Sequence, residues 1–184
     1  MSPDHIGHTP GGAEPGSAPI IIRDADEHDL PAIAAIFNFE IAESAYVYAE
    51  APLTLDDRRS WLHMHRSARL PVVVATDRSD GTEVLGWAAL SPYRAASGYR
   101  FTREASVYVA RASHRRGIGR RLLATLDDAA KVREVHAIVA SIDSENAPSI
   151  ALFERFGYVE AARLIEVGRK FEGWRTQLLL LKRF

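Results

Sequence analysis

The stretch from Ser106 to Leu123, SVYVARASHRRGIGRRLL, joins two apolar segments through a basic turn that contains glycine. Alternating apolar residues before the turn predict a β-strand, and apolar residues at helical spacing after it predict a helix. A strand that runs directly into a helix in mid-chain is typical of α/β folds. The unpaired N–H groups and the dipole at the start of that helix, together with the arginines of the turn, favour an anion-binding site.

Two interpretations of this turn stay open on the residues alone. It can hold a phosphate group, or Gly117 and Gly119 can simply permit a tight connection. The arginines and the preceding strand favour the phosphate site. A Walker loop would need Gly-Lys followed by Ser or Thr, and a dinucleotide fingerprint would need a third glycine at Leu122; neither is present. The remaining interpretation is a pyrophosphate site in the middle of the chain.

The composition bounds the class of protein. With 184 residues, 47% of them hydrophobic, the chain is long enough for one domain with a sizeable core. A net charge of −1 gives no overall field for nucleic acid or an anionic membrane, so we expect a small-molecule partner. The absence of cysteine excludes disulfides, cysteine-based zinc sites and a cysteine nucleophile. His63 and His65 diverge on a predicted helix, so no metal site is predicted.

Patterns along the chain predict an α/β domain with about seven strands and four helices. Residues 1–18, rich in Pro, Gly and Ser, are predicted to be a disordered lead, with one domain over 19–184. No transmembrane or signal-type segment is present, so the expected location is cytoplasmic. Asp29 is the predicted N-cap of the first helix, and Gly157 is predicted to end the last one. The strands are predicted at 19–25, 72–76, 82–93, 104–110, 135–141, 158–167 and 174–184, and the helices at 30–44, 55–69, 118–132 and 147–157.

The fourth strand with HRRGIG, the fifth strand, and NAPSIALFERFGY resemble the GCN5-related N-acetyltransferases (GNAT), whose motif is Gln/Arg-x-x-Gly-x-Gly/Ala. The resemblance runs from about residue 20 to the end. It implies a mixed central sheet with splayed fourth and fifth strands, and loop amides that hold the pyrophosphate of acetyl-CoA. His114 stands where the motif has Gln or Arg, which predicts a weaker side-chain contact there. The cofactor-binding residues that it implies are Val107, Val109, Arg115, Arg116, Gly117, Ile118, Gly119, Arg120 and Asn146.

Three separate segments resemble one branch of that family, the phosphinothricin and methionine sulfoximine acetyltransferases. They are IFNFEIAESAYVYAEAP (36–52), YRAASGYRFTREASVYV (93–109) and VGRKFEGWR (167–175). This resemblance implies an amino acid or analogue as the acceptor, and a homodimer. Lys170 and Phe171 fit the closing loop of the branch, while Thr176 stands where relatives commonly have Asp. Without a cysteine, direct transfer in a ternary complex is the expected mechanism.

The predicted catalytic residue is Glu104. A primary amine must lose a proton before it attacks a thioester, so a nearby base contributes. Glu104 stands where the family pattern E-x-S-V-Y-V carries its proposed base; the alternative is a solvated carboxylate at a strand edge. The family also implies a free backbone N–H near Val109 for the thioester carbonyl. Phe153 cannot donate a proton, so water or another group is expected to protonate the departing CoA, and Asn146 can act as a helix cap as well as a ligand.

The acceptor is predicted to meet the segment between the third and fourth strands. Arg94 is the first choice for holding a carboxylate as a bidentate pair, with Gly98 and Tyr99 shaping the pocket. Two other hypotheses stay open. The same fold can act on another amine, such as a polyamine, an aminoglycoside or a protein N-terminus. The chain can also be a CoA-binding module without catalysis, which the replacements at His114 and Phe153 would favour.

Overall fold

The computed structural model describes residues 20–77 and 83–184, and its elements follow the predicted order. The segment predicted to be a disordered lead lies outside the described residues. The strands are β1 (Ile20–Asp24), β2 (Val72–Asp77), β3 (Val84–Pro92), β4 (Thr102–Val109), β5 (Ala137–Asp143), β6 (Val159–Lys170) and β7 (Gly173–Arg183). The helices are α1 (Leu30–Glu43), α2 (Leu55–Ser67), α3 (Ile118–Val132) and α4 (Ala147–Arg155).

The seven strands form one mixed sheet in the order β1-β2-β3-β4-β5-β7-β6. Every neighbouring pair is antiparallel except β4 and β5, which run parallel. Their pairing covers only Thr102–Glu104 against Ala137–Val139. Beyond that point both strands continue without pairing to each other, so the sheet opens between them. We call the end of their pairing, where Glu104 lies opposite Val139, the vertex. The predicted splayed strands are confirmed.

The sheet separates two hydrophobic cores. On one face α3 buries Leu122, Leu123, Leu126 and Ala130, the four residues predicted to share its apolar side. On the other face α1 and α2 pack against a second cluster that includes Trp87. Burial of this kind contributes about 25 cal/mol per Å² of apolar surface. The packed cores on the two faces of the sheet therefore hold the central strands in place on both sides of the opening.

The helix ends follow from particular residues, with one correction. Gly117 precedes α3 with φ +75°, and Gly157 follows α4 with φ +83°, both conformations that favour glycine. Asn146 caps α4 by accepting a hydrogen bond from the Ser149 amide at 3.3 Å. Asp29 precedes α1 but does not cap it. Its carboxylate accepts from Arg23 at 2.7 Å, so ion pairing replaces the predicted cap.

None of the described helices has the properties of a membrane-spanning helix. Within residues 20–77 and 83–184, no helix combines the length and the apolar character needed to cross a bilayer.

Candidate active site

A cleft of about 930 Å³ lies where β4 and β5 diverge. One wall is β4 and the other is the end of β5 with the start of α4, while the start of α3 and the end of α1 close its sides. Of the predicted site residues, those that line the cleft are Glu104, Val107, Val109, Arg115, Gly117, Ile118, Gly119, Arg120 and Asn146. Arg116 is half-buried beside the cleft but is not part of its lining.

The glycine turn gives the cleft a helix start that is open to ligands. Gly117 occupies the left-handed region, and Arg115 does so as well, at φ 62°. A β-carbon at Gly119 would meet Leu152 Cδ2 at 3.2 Å and Val109 Cγ2 at 3.8 Å, so glycine permits close packing between α3, α4 and β4. The turn thus serves a tight connection, and Gly117, Ile118 and Gly119 at the start of α3, where backbone N–H groups lack partners within the helix, line the cleft. The two interpretations made from the sequence are compatible in this structure.

The side chains of β4 alternate between the two cores. Val107 and Val109 pack on the α3 side. Tyr108 lies on the opposite side, stacked on Trp87 with ring centroids 4.8 Å apart. Burial raises the pKa of Tyr108 to about 12, although the guanidinium of Arg58 acts in the opposite direction. Tyr108 lines the cleft, yet its ring is part of the second core.

The carbonyl of Val109 faces away from β3. His114 Nε2 lies 3.0 Å from this oxygen, while the next amide along, that of Ala110, donates to Leu85 on β3 at 2.9 Å. Because neighbouring residues of a strand direct their backbone groups to opposite sides, the polar groups of Val109 point toward the opening. This orientation is the one that the predicted thioester contact requires. His114 therefore contacts the backbone of β4. The weaker side-chain contact that the family motif predicts at this position stays a prediction.

Glu104 lies at the vertex and is half-buried. Its Oε1 accepts a hydrogen bond from Ser141 Oγ on β5 at 2.7 Å. The carboxylate is therefore a defined group at the narrow end of the cleft, and the solvated strand edge considered from the sequence does not describe it. Ser141 was not singled out from the sequence because a lone serine in a buried strand carries no motif.

Phe153 is almost fully buried and lines the cleft from α4. Its ring meets that of Tyr158 edge to face, with centroids 5.0 Å apart. The Tyr158 hydroxyl donates to Asp127 at 3.0 Å inside the core, so this phenol is engaged away from the cleft. The position therefore offers no proton donor to a departing thiolate.

The residues predicted to hold the acceptor lie outside the cleft lining. Arg94, Gly98 and Tyr99 are exposed in the loop between β3 and β4. The Arg94 guanidinium lies 5.0 Å from the centroid of Tyr93, and this tyrosine is the main cause of the raised pKa of Arg94, with a smaller contribution from Glu104. Roles for these residues stay predictions.

A second group of residues stabilises the open end of the cleft, and the sequence did not predict it. Arg175 on β7 donates to both carboxylate oxygens of Asp143, at 2.7 and 2.8 Å, and Tyr48 donates to the same carboxylate at 2.9 Å. Burial alone would raise the pKa of Asp143, but these hydrogen bonds and one from the Glu145 amide lower it below its ordinary value. No sequence signal links Tyr48 to partners this far along the chain.

The tail of the chain reaches the loop that follows α1. Lys170 is buried and donates to the carbonyl of Ala49, and a β-carbon at Gly168 would collide with the Tyr48 ring at 2.5 Å. Phe171 is mostly exposed, and Thr176 Oγ1 accepts from the Glu166 amide at 3.3 Å. The closing segment therefore shapes the cleft through the α1–α2 loop.

Comparisons with known proteins agree with this geometry. The acetyltransferase (GNAT) family matches residues 34–158. The L-methionine sulfoximine/L-methionine sulfone acetyltransferase of Pseudomonas paraeruginosa is 37% identical over 153 residues, which cover 83% of this chain and 88% of that protein. The phosphinothricin N-acetyltransferase of Streptomyces coelicolor is 37% identical over 158 residues, covering 85% of this chain and 92% of that protein.

Solved structures show the same fold. A ribosomal-protein-alanine N-acetyltransferase from Brucella melitensis has a TM-score of 0.85 at 38% identity, covering 89% of this chain and 99% of that one. The YncA acetyltransferase from Salmonella typhimurium, solved with its cofactor acetyl-CoA, has a TM-score of 0.85 at 33% identity, covering 89% and 93%.

Fold, cleft and comparisons together define the class: the chain belongs to the acetyltransferase (GNAT) family. It is an N-acetyltransferase, and acetyl-CoA is the cosubstrate of that family. Within the family it is similar to the enzymes named for methionine sulfoximine and phosphinothricin, which confirms the predicted branch.

Proposed function

We propose that the chain transfers acetyl from acetyl-CoA to the primary amine of a small amino acid or analogue, of the phosphinothricin or methionine sulfoximine type. The cleft between β4 and β5 carries this proposal, because it links an open helix start to a carboxylate at the vertex. Similarity to acetyltransferases named for such compounds supports the acceptor class.

Acetyl-CoA binds along the cleft in this proposal. Its pyrophosphate accepts hydrogen bonds from backbone N–H groups at the start of α3, where helix dipole and arginines both favour an anion. Val107 and Val109 flank the pantetheine arm on β4, and Asn146 contacts it from the opposite wall. The residues assigned to the pyrophosphate end are Arg115, Arg116, Gly117, Ile118, Gly119 and Arg120.

Glu104 acts as the general base, directly or through one water. The deprotonated amine attacks the thioester carbon, and the backbone N–H near Val109 stabilises the oxyanion that forms. The C–S bond then breaks and the thiolate leaves as CoA. With phenylalanine at position 153, water supplies the proton that the thiolate takes up. No covalent acetyl-enzyme is required, so both substrates are present at the moment of transfer.

Arg94 binds the acceptor carboxylate from the β3–β4 loop, with Gly98 and Tyr99 beside it. The resemblance of residues 93–109 to the branch supports this assignment, and an arginine can hold a carboxylate as a bidentate pair. A carboxylate held by Arg94 would leave the α-amine of the same molecule facing Glu104.

The test is thiol release from acetyl-CoA with a panel of amines. The panel holds phosphinothricin, methionine sulfoximine, methionine sulfone, the common amino acids, spermidine, kanamycin and a short peptide with N-terminal alanine. Turnover restricted to the amino acids and analogues supports the proposal. Turnover of spermidine or kanamycin alone refutes the acceptor class, and acetyl-CoA binding by calorimetry without turnover of any amine would leave a CoA-binding module.

A protein N-terminus is the second candidate acceptor. The similarity to the ribosomal-protein-alanine acetyltransferase favours it, and the peptide in the panel tests it. A peptide lacks the free α-carboxylate next to its amine, so its acetylation would not need Arg94. Comparing Arg94→Ala with the wild type on peptide and amino acid therefore separates the two acceptors.

We also propose that the enzyme is a homodimer, as the family resemblance implies. Edge strand β6 and its turn into β7 expose apolar side chains that a second copy would cover. Ile165, Val167 and Trp174 are 74%, 56% and 62% exposed. Light scattering on the purified protein measures the mass directly, and a monomer at micromolar concentration would refute this proposal.

A further inference from the structure

We propose that Ser141 is a positioning residue that holds the Glu104 carboxylate ready to accept the proton of the acceptor amine. The inference rests on the proposed role of Glu104 and adds to it a residue from the opposite strand. Ser141 ends the predicted fifth strand, and the sequence assigned no role to it.

The position of Ser141 on the open part of β5 is the first argument. Pairing of β4 and β5 ends with Glu104 opposite Val139, and Ser141 lies two residues beyond on the same face of its strand. The hydrogen bond from Ser141 Oγ to Glu104 Oε1, at 2.7 Å, therefore spans the gap between strands that no longer pair. It fixes the carboxylate at the narrow end of the cleft, where the acetyl group must lie for transfer.

The other neighbour of Glu104 is already engaged. Ser91 lies opposite Glu104 on β3, and its hydroxyl contacts His65 Nε2 at 2.9 Å. Burial lowers the pKa of His65, and Trp61 O lies 2.8 Å from its Nδ1. A neutral ring with its proton on Nδ1 donates to Trp61 and accepts from Ser91. Ser141 is thus the side-chain donor to Glu104 within the described part of the chain.

The hydrogen bond from Ser141 suits a role of the Glu104 carboxylate as a base. A hydroxyl that donates to one carboxylate oxygen holds the carboxylate in place and leaves the second oxygen available to accept a proton. Removing the donor should therefore leave the Glu104 carboxylate free to turn away from the acceptor amine.

A matched pair of variants isolates the hydroxyl. Ser141→Thr and Ser141→Val add nearly the same volume, but only threonine keeps the donor, and every surrounding charge is unchanged. We expect kcat to fall by about tenfold in the valine variant while KM for both substrates stays near the wild-type value, because the carboxylate is no longer held beside the amine. Threonine should retain the kcat of the wild type. Calorimetry with acetyl-CoA and a thermal melt on both variants control for binding and folding.

The Glu104→Gln background separates this inference from the proposed function. If Ser141 acts through Glu104, adding Ser141→Val to Glu104→Gln causes no further loss. Equal kcat values for the valine and threonine variants, with Glu104→Gln strongly impaired, would overturn the inference and leave Glu104 as the base. An active Glu104→Gln variant with an unchanged pH profile would instead overturn the proposed function.

Discussion

In the proposed reaction, Glu104 can accept the proton of the amine, whereas Phe153 has no proton to give to the thiolate. Glu104 is a half-buried carboxylate fixed by one hydrogen bond, whereas Phe153 is a buried ring with no exchangeable proton. In the proposed mechanism the amine is therefore deprotonated by the protein, and the thiolate relies on water. This assignment makes the reaction most sensitive to a single side chain at the vertex.

Replacing Glu104 by glutamine should lower kcat/KM by about 100-fold at neutral pH, because the amide cannot accept a proton. Activity should recover in part as pH rises, since more of the acceptor amine is then already deprotonated. A pH–rate profile on methionine sulfone measures both effects. Glu154→Gln, an exposed position on α4, serves as the control and should behave as the wild type.

At the scale of elements, the β4–turn–α3 unit is determined by local sequence. The strand alternation, the basic glycine turn and the apolar face of α3 predicted the helix at 118–132, where the structure places it. In the proposed function the turn binds an anion through backbone groups, and these are insensitive to the identity of most side chains. Substitutions in the turn must therefore act through charge or backbone conformation.

Two variants at Gly117 separate these causes. Both Gly117→Ala and Gly117→Glu carry the strain of a left-handed residue, about 1 kcal/mol, and neither β-carbon meets another atom within 4 Å. Only glutamate adds negative charge beside the pyrophosphate. We expect Gly117→Glu to weaken acetyl-CoA binding by at least about 100-fold and Gly117→Ala by less than about tenfold. Calorimetry measures the affinities; similar losses in both variants would mean that the turn is only a connection.

Contacts between distant elements were not predictable in the same way. The order of strands and helices and the glycine turn follow from periodicity and local motifs. The Tyr48–Asp143–Arg175 group does not, because its members lie on a loop, on β5 and on β7, and none shows a pattern by itself. Asp29 illustrates the same limit: its position suggests a cap, but its partner is Arg23 from the preceding strand. The acceptor loop carries a family resemblance, yet its distance from the cleft depends on the whole fold.

At the scale of the whole molecule, Asp143 links the C-terminal strand β7 to the open end of the cleft. Its lowered pKa means that the folded state favours the charged carboxylate, so this contribution to stability is present above pH 3.8, its ordinary value. It is lost as pH falls through the lower folded value. The ion pair with Arg175 therefore contributes throughout the neutral range.

Asp143→Asn should lower the free energy of unfolding by about 2 kcal/mol at pH 7, because Arg175 loses a charged partner. The difference from wild type should shrink as the pH falls from 3.8 through the lower folded pKa, because the carboxylate becomes protonated first in the unfolded and then in the folded state. Urea denaturation at several pH values measures this. Glu145→Gln, a mostly exposed partner of the same arginine, should change stability by less than about 0.5 kcal/mol. A gap that stays constant in acid would contradict this account.

The divergence of β4 and β5 has a consequence for folding as well as for catalysis. Past the vertex, each strand has lost a neighbour and presents backbone donors and acceptors to an interior gap, as an edge strand does at the outside of a sheet. A peptide-like ligand can complete such an edge by adding its own amides to the ladder. The pantetheine arm has amides of this kind, so in the proposed binding mode the cosubstrate takes the place of a missing strand. Ligand binding then completes the hydrogen bonding of the open strands, and slower amide hydrogen exchange along β4 would show it.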